Sequence, residues 1–582
     1  MGTPPRAPGT FLSARQFARD KLQRSRFNSG QATLVLAVLL LIVLVVYPLA
    51  QLVLQSFQFN QHWSFTGYTA ALKDESNLLA LLHSLEVTLA VMVGATMLGT
   101  GLAWLVARTD LPGRNTFRTA FVLPFMIPPF IGALAWLQIL GPVGYLSKLY
   151  MALTGASEPL WDIYGPTGIV LVMILHEYPT VFIIVLGGLE RMNPELEEAA
   201  QISGSRVFRV MREITLPLVM PTITAGALLV FISAIANFGV PAVLGFSENY
   251  YVLTTQIYDV ITRSTQPNSL NVAAAMSILL ALVSGTGILL QRAYLGSKEF
   301  AVISGKSMQP NAVRLGKHRY WLFPLAVAMV LVATVAPLVA ILLTALVRAY
   351  GLPPLPQNWT LQNFYEVLVL NESSRRGIVN SIGLAIGSAT IITVLSAFIA
   401  YIVVKTKMRG RGLLDAISNA PYTLPGTVVA LAMILAWLKP IPLIGFRLYD
   451  TIWILLIAYV ARYLAFGVRT AAGSLAQLHI SLEEAARISG AGWLQSFRDI
   501  VVPLIRPGLF AGWFLVFIPA LRELTISALL WSTRNETIGV VVYNLQQSGN
   551  TSASAALAVI MVLLLLVANI VTRRLTGGKL GY

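Results

Sequence analysis

The sequence contains no cysteine and few charged residues. The absence of cysteine among its 582 residues excludes disulfides, thiolate metal sites and thiol nucleophiles. Charged residues make up 11% of the chain, and acidic residues are scarcer than basic ones, 25 against 41. Histidine is rarer still, and its scattered spacing predicts neither a metal site nor a hydrolytic triad. The five histidines are His62, His83, His176, His318 and His479.

Long apolar runs take the place of the missing charge. Hydrophobic residues make up 56% of the sequence and the mean hydropathy is +0.72, which indicates that lipid is the solvent. A helix needs about 20 apolar residues to cross the hydrocarbon core. Twelve runs approach that length, so we predict an all-α polytopic membrane protein of about 12 transmembrane helices. The runs centre near Leu44, Val93, Ile131, Leu175, Phe231, Leu282, Ala333, Ile391, Ala430, Ile457, Val516 and Leu564.

Prolines interrupt the third and the ninth of these runs. Pro124, Pro128 and Pro129 fall in the third run, and Pro421 and Pro425 fall in the ninth. A helix broken at this depth is tolerated only where protein, and not lipid, surrounds the freed backbone groups. We therefore expect these two spans to be kinked and buried.

The basic residues indicate the orientation in the membrane. The net charge of +16 comes from short clusters between apolar runs, a pattern explained by membrane orientation and not by nucleic-acid binding. Placing most of them in the cytoplasm puts both termini there, which agrees with an even number of spans. The first apolar stretch, 33–56, lacks a small-residue cleavage site, so we interpret it as a retained anchor.

The chain repeats itself at an offset of 286 residues. Leu-Glu-Glu-Ala-Ala at 196–200 recurs at 482–486, and Ile-Ser-Gly at 202–204 recurs at 488–490 without a gap. Both copies directly precede an apolar run, so we predict two homologous six-helix repeats. The predicted parts are a cytoplasmic basic tail (1–32), the first repeat (33–295), a cytoplasmic linker (296–319), the second repeat (320–575) and a cytoplasmic tail (576–582).

The repeated motif resembles the signature loop of ABC importer permeases. We call residues 193–204 and 479–490 the first and second EAA loops. The resemblance implies that each loop docks on one of two copies of a cytoplasmic ATPase, which binds ATP and magnesium, and that an external binding protein or lipoprotein delivers the substrate. It assigns ATPase coupling to Glu197, Glu198, Ala199, Ala200, Gly204, Glu483, Glu484, Ala485, Ala486 and Gly490. It also implies a multi-pass protein of the bacterial inner membrane.

The wider pattern resembles the fused iron(III) permeases in particular. Phe-Gly-Val-Pro at 238–241 and Leu-Arg-Glu-Leu at 521–524 carry this likeness. Val502 departs from the motif, which has leucine before the proline. Ferric iron is the substrate that this resemblance favours, while polyamine, thiamine and phosphonate stay open as alternatives.

Three polar residues in the spans are candidates for the translocation pathway or its gate: Asn237, Arg522 and Glu523. A charge in a span costs about 2.5 kcal/mol or more on insertion scales, so such a residue indicates function by default. An internal hydrogen-bonded brace explains them equally well. For His176-Glu177 and Arg462 we favour structural pairing or a position near the membrane surface.

We predict no enzyme activity, catalytic residue, metal site or cofactor in this chain. Gly305-Lys306-Ser307 looks like the end of a phosphate-binding loop, but Phe300 occupies the position of its first glycine. The ATPase is therefore expected on a separate subunit. Two other classes stay open: an ion-coupled secondary transporter, in which Glu523 would bind the coupling ion, and a passive channel.

Overall fold

A computed structural model describes residues 29–193, 195–296, 313–441, 445–479 and 481–575. Residues 1–28 of the basic tail, most of the linker with Gly305-Lys306-Ser307, and the C-terminal tail lie outside these residues. In chain order, the helices of the first half are α1 Ser29–Leu41, α2 Tyr47–Ser56, α3 Thr66–Lys73, α4 Glu75–Arg108, α5 Arg114–Ala120, α6 Pro129–Leu140, α7 Tyr145–Thr154, α8 Gly165–Arg191, α9 Glu195–Ile202, α10 Val207–Val210, α11 Leu216–Ile235, α12 Gly239–Leu244, α13 Leu253–Thr262 and α14 Ser269–Gly296.

The second half follows the same plan. Its helices are α15 Arg319–Val330, α16 Ala336–Leu346, α17 Gln362–Tyr365, α18 Glu372–Lys405, α19 Arg411–Asn419, α20 Gly426–Trp437, α21 Ile452–Ala476, α22 Ser481–Ile488, α23 Trp493–Ser496, α24 Val502–Leu521, α25 Thr525–Leu530, α26 Ile538–Gln547 and α27 Thr551–Leu575. The only strands among the described residues are β1 Gln58–Phe59 and β2 His62–Trp63, an antiparallel pair.

The described residues contain 11 helical stretches long and apolar enough to cross a membrane. The stretch Arg411–Thr423 and the helix Gly426–Trp437 would make a twelfth span, bent by 110° at the break between them. The predicted count of about 12 is therefore confirmed. The prolines do not kink a continuous helix, however. Pro129 is the first residue of α6 and Pro425 directly precedes α20, positions where the missing N–H leaves no bond unmade.

Three long helices form the centre of each half. In the first half α4, α8 and α11 pack on one another, and in the second half α18, α21 and α24 do the same. The contact between α4 and α8 depends on Gly99. A Cβ atom there would lie 2.7 Å from the carbonyl oxygen of Tyr178 and 2.8 Å from Cβ of Val181. Only glycine lets the two backbones approach this closely.

The two halves exchange their first spans. Helix α2 of the first half packs on α20 of the second, and α16 of the second half packs on α6 of the first. The broken span of each half is thus covered by the first span of the other half. The halves enclose one another's breaks, which keeps freed backbone groups away from lipid.

Candidate functional site

The two EAA loops end in the same backbone turn. The amide of Glu195 donates to Oδ1 of Asn193 at 3.0 Å, which caps α9 as its sequence indicates. After α9 and α22 the chain reverses through Gly204 and Gly490, with φ of 87° and 89°, in the left-handed region that favours glycine. The next residue closes each turn: Ser205 N–H donates to Ala200 O, and Ala491 N–H to Ala486 O, both at 3.0 Å.

Glu197 of the first EAA loop points into this chain. It is 9% exposed and forms an ion pair with Arg108 of α4, with Nε and Oε2 3.1 Å apart. The hydroxyl of Thr215 donates to its other oxygen at 2.5 Å. Arg108 also donates to the carbonyl oxygen of Leu189, at the end of α8, at 2.9 Å. The carboxylate therefore fastens α9 to the central helices.

Glu483 has the same place in the second EAA loop but a different partner. It is 6% exposed, and the hydroxyl of Tyr401 donates to it at 2.6 Å. The resemblance implies ATPase coupling for all four glutamates, whereas the structure buries Glu197 and Glu483 against residues of this chain. Adjacent helical residues point about 100° apart, so burying Glu197 and Glu483 turns Glu198 and Glu484 away from the core.

Large apolar side chains are exposed on the outward surface of both loops. Ile202 is 87% exposed and its repeat counterpart Ile488 is 88% exposed. Two further pairs at matching positions are also exposed, Leu196 with Leu482 and Phe208 with Leu494. We call these two sets of three residues the apolar triads. Sequence reasoning missed them, although Ile202 and Ile488 belong to the repeated motif.

A cavity lies between the two halves. Its volume is about 970 Å³, and residues of both halves line it. The three predicted pathway residues Asn237, Arg522 and Glu523 all belong to its wall. The wall also contains His176, Glu177, Arg462 and Tyr463. The residues for which we favoured structural pairing therefore share one cavity with the pathway candidates.

Asn237 and Glu523 occupy equivalent positions of the two repeats, 286 residues apart, and accept equivalent hydrogen bonds. Each follows the end of a long helix and accepts a backbone N–H of the short helix that comes next. Val240 N–H donates to Asn237 Oδ1 at 3.1 Å, and Ile526 N–H donates to Glu523 Oε1 at 2.8 Å. The Tyr463 hydroxyl donates to the second oxygen of Glu523. These contacts brace the start of each short helix, and Glu523 also adds a carboxylate to the cavity wall.

Two arginines hold the breaks in the third and ninth spans. Arg522 donates to the carbonyl oxygen of Phe125 at 2.9 Å, and its guanidinium lies 5.2 Å from the centre of that ring. Arg462 donates to the carbonyl oxygens of Pro421 and Tyr422 at 2.8 and 3.1 Å. Both guanidinium groups thus satisfy carbonyls that a continuous helix would have bonded. Arg522 does so across the two halves.

His176 and Glu177 complete the polar wall on the first half. The Ser233 hydroxyl donates to Glu177 at 2.6 Å, and the His176 ring stacks on Phe125 with centroids 6.1 Å apart. Repeat counterparts of His176 and Glu177 are Arg462 and Tyr463. Within the described residues, histidines, aspartates and glutamates form no group of three that could hold a metal ion.

A family model described as "Binding-protein-dependent transport system inner membrane component" matches residues 96–297 and 390–577. The chain belongs to this family. Each match contains one EAA loop and one side of the cavity wall, so the two predicted repeats correspond to two copies of the family unit. The likeness that the motif indicated is confirmed.

Curated relatives cover either the whole chain or one half of it. The putative ferric transport system permease protein FbpB 1 of Haemophilus influenzae is 27% identical over 87% of this chain and 78% of its own. The ferric transport system permease protein FbpB of Actinobacillus pleuropneumoniae is 27% identical over 94% and 78%. The molybdenum transport system permease protein ModB of Mycobacterium tuberculosis is 26% identical over 43% of this chain and 88% of its own.

Proposed function

We propose that this chain is the fused permease of an ABC importer and that its cargo is ferric iron. Two copies of an ATPase dock on the EAA loops, and an external binding protein delivers the cargo on the opposite side. The FbpB relatives, which match nearly the whole chain across both repeats, are named for ferric transport. That breadth of likeness favours ferric iron over polyamine, thiamine or phosphonate.

The matched apolar triads carry the docking proposal. Exposures of 87% and 88% at Ile202 and Ile488 would be costly for an ordinary solvated loop, because large apolar side chains lose free energy in water. Each triad lies on and beside a helix that a buried glutamate fastens to the central helices. The same surface occurs twice, so one kind of partner binds it twice. An ion-coupled transporter has no use for this duplicated surface.

The cavity supports a mechanism of alternating access. ATP binding draws the two ATPases together, and the EAA loops transmit this motion to the central helices through Glu197 and Glu483. The cavity then opens toward the binding protein, receives the cargo, and opens to the cytoplasm after hydrolysis. The proposal places the protein in the bacterial inner membrane with both termini in the cytoplasm, the side of the EAA loops.

Substitution of the apolar triads tests the proposal. The chain is reconstituted in lipid nanodiscs with its ATPase, and ATP turnover is measured with ferric-loaded, polyamine-loaded or empty binding protein. We expect selective stimulation by the ferric-loaded protein. Ile202→Glu with Ile488→Glu should abolish it, because a charge would enter the apolar interface. Ile202→Leu with Ile488→Leu, which keeps the apolar surface, is the matched control.

Two other outcomes would contradict parts of the proposal. Stimulation only by another loaded binding protein would keep the importer and replace the cargo. Failure of any ATPase to bind the wild-type chain would remove the importer assignment and favour ion coupling through Glu523.

A further inference from the structure

The described end of the linker is bonded to the loop that follows α4. Val313 N–H donates to the carbonyl oxygen of Arg108 at 2.9 Å, and Asp110 N–H donates to the carbonyl oxygen of Val313 at 3.2 Å. These two bonds form a parallel bridge between Val313 and Thr109. A third bond joins Leu315 N–H to Oδ1 of Asp110 at 2.8 Å. The beginning of the second half is thus attached to the first half by its backbone.

The attached loop carries the residue that holds the first EAA loop. Arg108 is the last residue of α4, and its side chain reaches Glu197 of α9 at 3.1 Å. Its surroundings are buried: Arg108 is 3% exposed and Thr109 is not exposed at all. Leu315 is also buried and belongs to the apolar core. A continuous set of bonds therefore runs from the linker through Arg108 to Glu197.

The second EAA loop is held in another way. Lys405, the last residue of α18, donates to the carbonyl oxygen of Leu478 at 2.6 Å, while the Tyr401 hydroxyl binds Glu483. The carbonyl of Thr406, directly after α18, accepts a hydrogen bond from the side chain of Arg411, the first residue of α19. Arg108 thus holds the first EAA loop, whereas Tyr401 and Lys405 together hold the second.

We propose that linker residues 313–315 are a positioning element for the first EAA loop and act through Arg108. The inference deepens the proposed function and rests on it for its consequence, because it makes the two ATPase docking sites unequal. The first site depends on the covalent connection between the halves. The second is bonded to Tyr401 and Lys405 of α18.

Spin labels on the two loops test this inference without any ATPase. The cysteine-free chain receives one cysteine, by Ile202→Cys or Ile488→Cys, and the label's mobility is measured in nanodiscs. Val313→Pro removes the N–H that bonds Arg108, whereas Val313→Ala keeps it and is the matched control. Asp110→Ala, which removes the acceptor for Leu315, is a second and milder variant.

We expect Val313→Pro and Asp110→Ala to raise the mobile fraction of the label at position 202 by about threefold or more, the effect of one lost hydrogen bond. The label at position 488 and the Val313→Ala control should stay unchanged. An equal rise at both positions, or none at position 202, would overturn the inference. If no ATPase binds the wild-type chain, the proposed function fails while the spin-label result still decides the positioning role.

Discussion

At the scale of single residues, the two buried glutamates occupy the same position of the repeat but bind different partners. Glu197 faces a guanidinium and Glu483 faces a phenol, although both occupy the same place in the repeat. A charge buried against an opposite charge depends on its partner far more than a carboxylate that accepts a neutral hydroxyl. The two sites should therefore respond differently to the same substitution.

Replacement of each glutamate by glutamine tests this difference. Glu197→Gln leaves Arg108 buried without its counter-charge and should lower the free energy of unfolding by about 3 kcal/mol. Glu483→Gln keeps an acceptor for Tyr401 and should cost about 1 kcal/mol. Thermal unfolding of the two purified variants shows which substitution destabilises the protein more. Equal losses would contradict the assigned partners.

Glu523 combines a bracing contact with a charge in the cavity, and a second substitution separates the two. Glu523→Gln keeps an oxygen for Ile526 N–H, and its amide nitrogen can donate to the Tyr463 hydroxyl in place of the present bond, but the charge is lost. We expect unchanged thermal stability and about tenfold slower iron uptake, in line with the loss of one interaction with a charged group. Asn237→Asp, which adds a carboxylate at the equivalent position, is the matched variant. Unchanged uptake in Glu523→Gln would show that the charge has no part in transport and that Glu523 acts only as a structural brace.

The sequence could identify the glutamates but not their directions. Four acids in two copies of one motif are visible in the chain, yet nothing local tells which of two adjacent acids faces inward. Arg108 and Tyr401, which decide it, lie more than 80 residues away in sequence. For the same reason His176, Glu177 and Arg462 could not be assigned to the cavity wall from sequence alone.

At the scale of helices, close packing of α4 on α8 depends on one glycine. Gly99→Leu places a side chain against Tyr178 and Val181 and should destabilise the protein by about 1 to 3 kcal/mol. Gly101→Leu is the control two residues away, because nothing lies within 4 Å of a Cβ atom there. Thermal unfolding in detergent compares them. Similar losses for both variants would contradict the packing.

Hydropathy predicted where helices lie but not where they break. The long spans are visible because lipid requires about 20 apolar residues in a helix. The short helices α12 and α25 escape this test, since their boundaries are set by the capping residues Asn237 and Glu523. The prolines of the third and ninth runs indicated interruptions. The 110° bend before α20 also involves Arg462, which bonds the carbonyls of Pro421 and Tyr422 from about 40 residues away in sequence.

At the scale of the whole molecule, exchange of the first spans makes the halves depend on each other. Helix α2 covers α20, and α16 covers α6. Either half expressed alone would expose its broken span to lipid, and its first span would lose the helix that it covers in the other half. We expect each half to aggregate alone and the two halves to purify together when co-expressed with a cut near residue 300. A stable isolated half would contradict this interdependence.

Uptake of radioactive iron would show whether ATP drives ferric iron through this chain. Proteoliposomes contain the permease and its ATPase with ATP enclosed, and ferric-loaded binding protein is added outside. We expect iron to accumulate inside only when ATP is enclosed. We also expect this accumulation to be lost when Ile202 and Ile488 are both replaced by glutamate. Uptake without ATP, or ATP-driven uptake of another cargo with iron excluded, would contradict the proposed function.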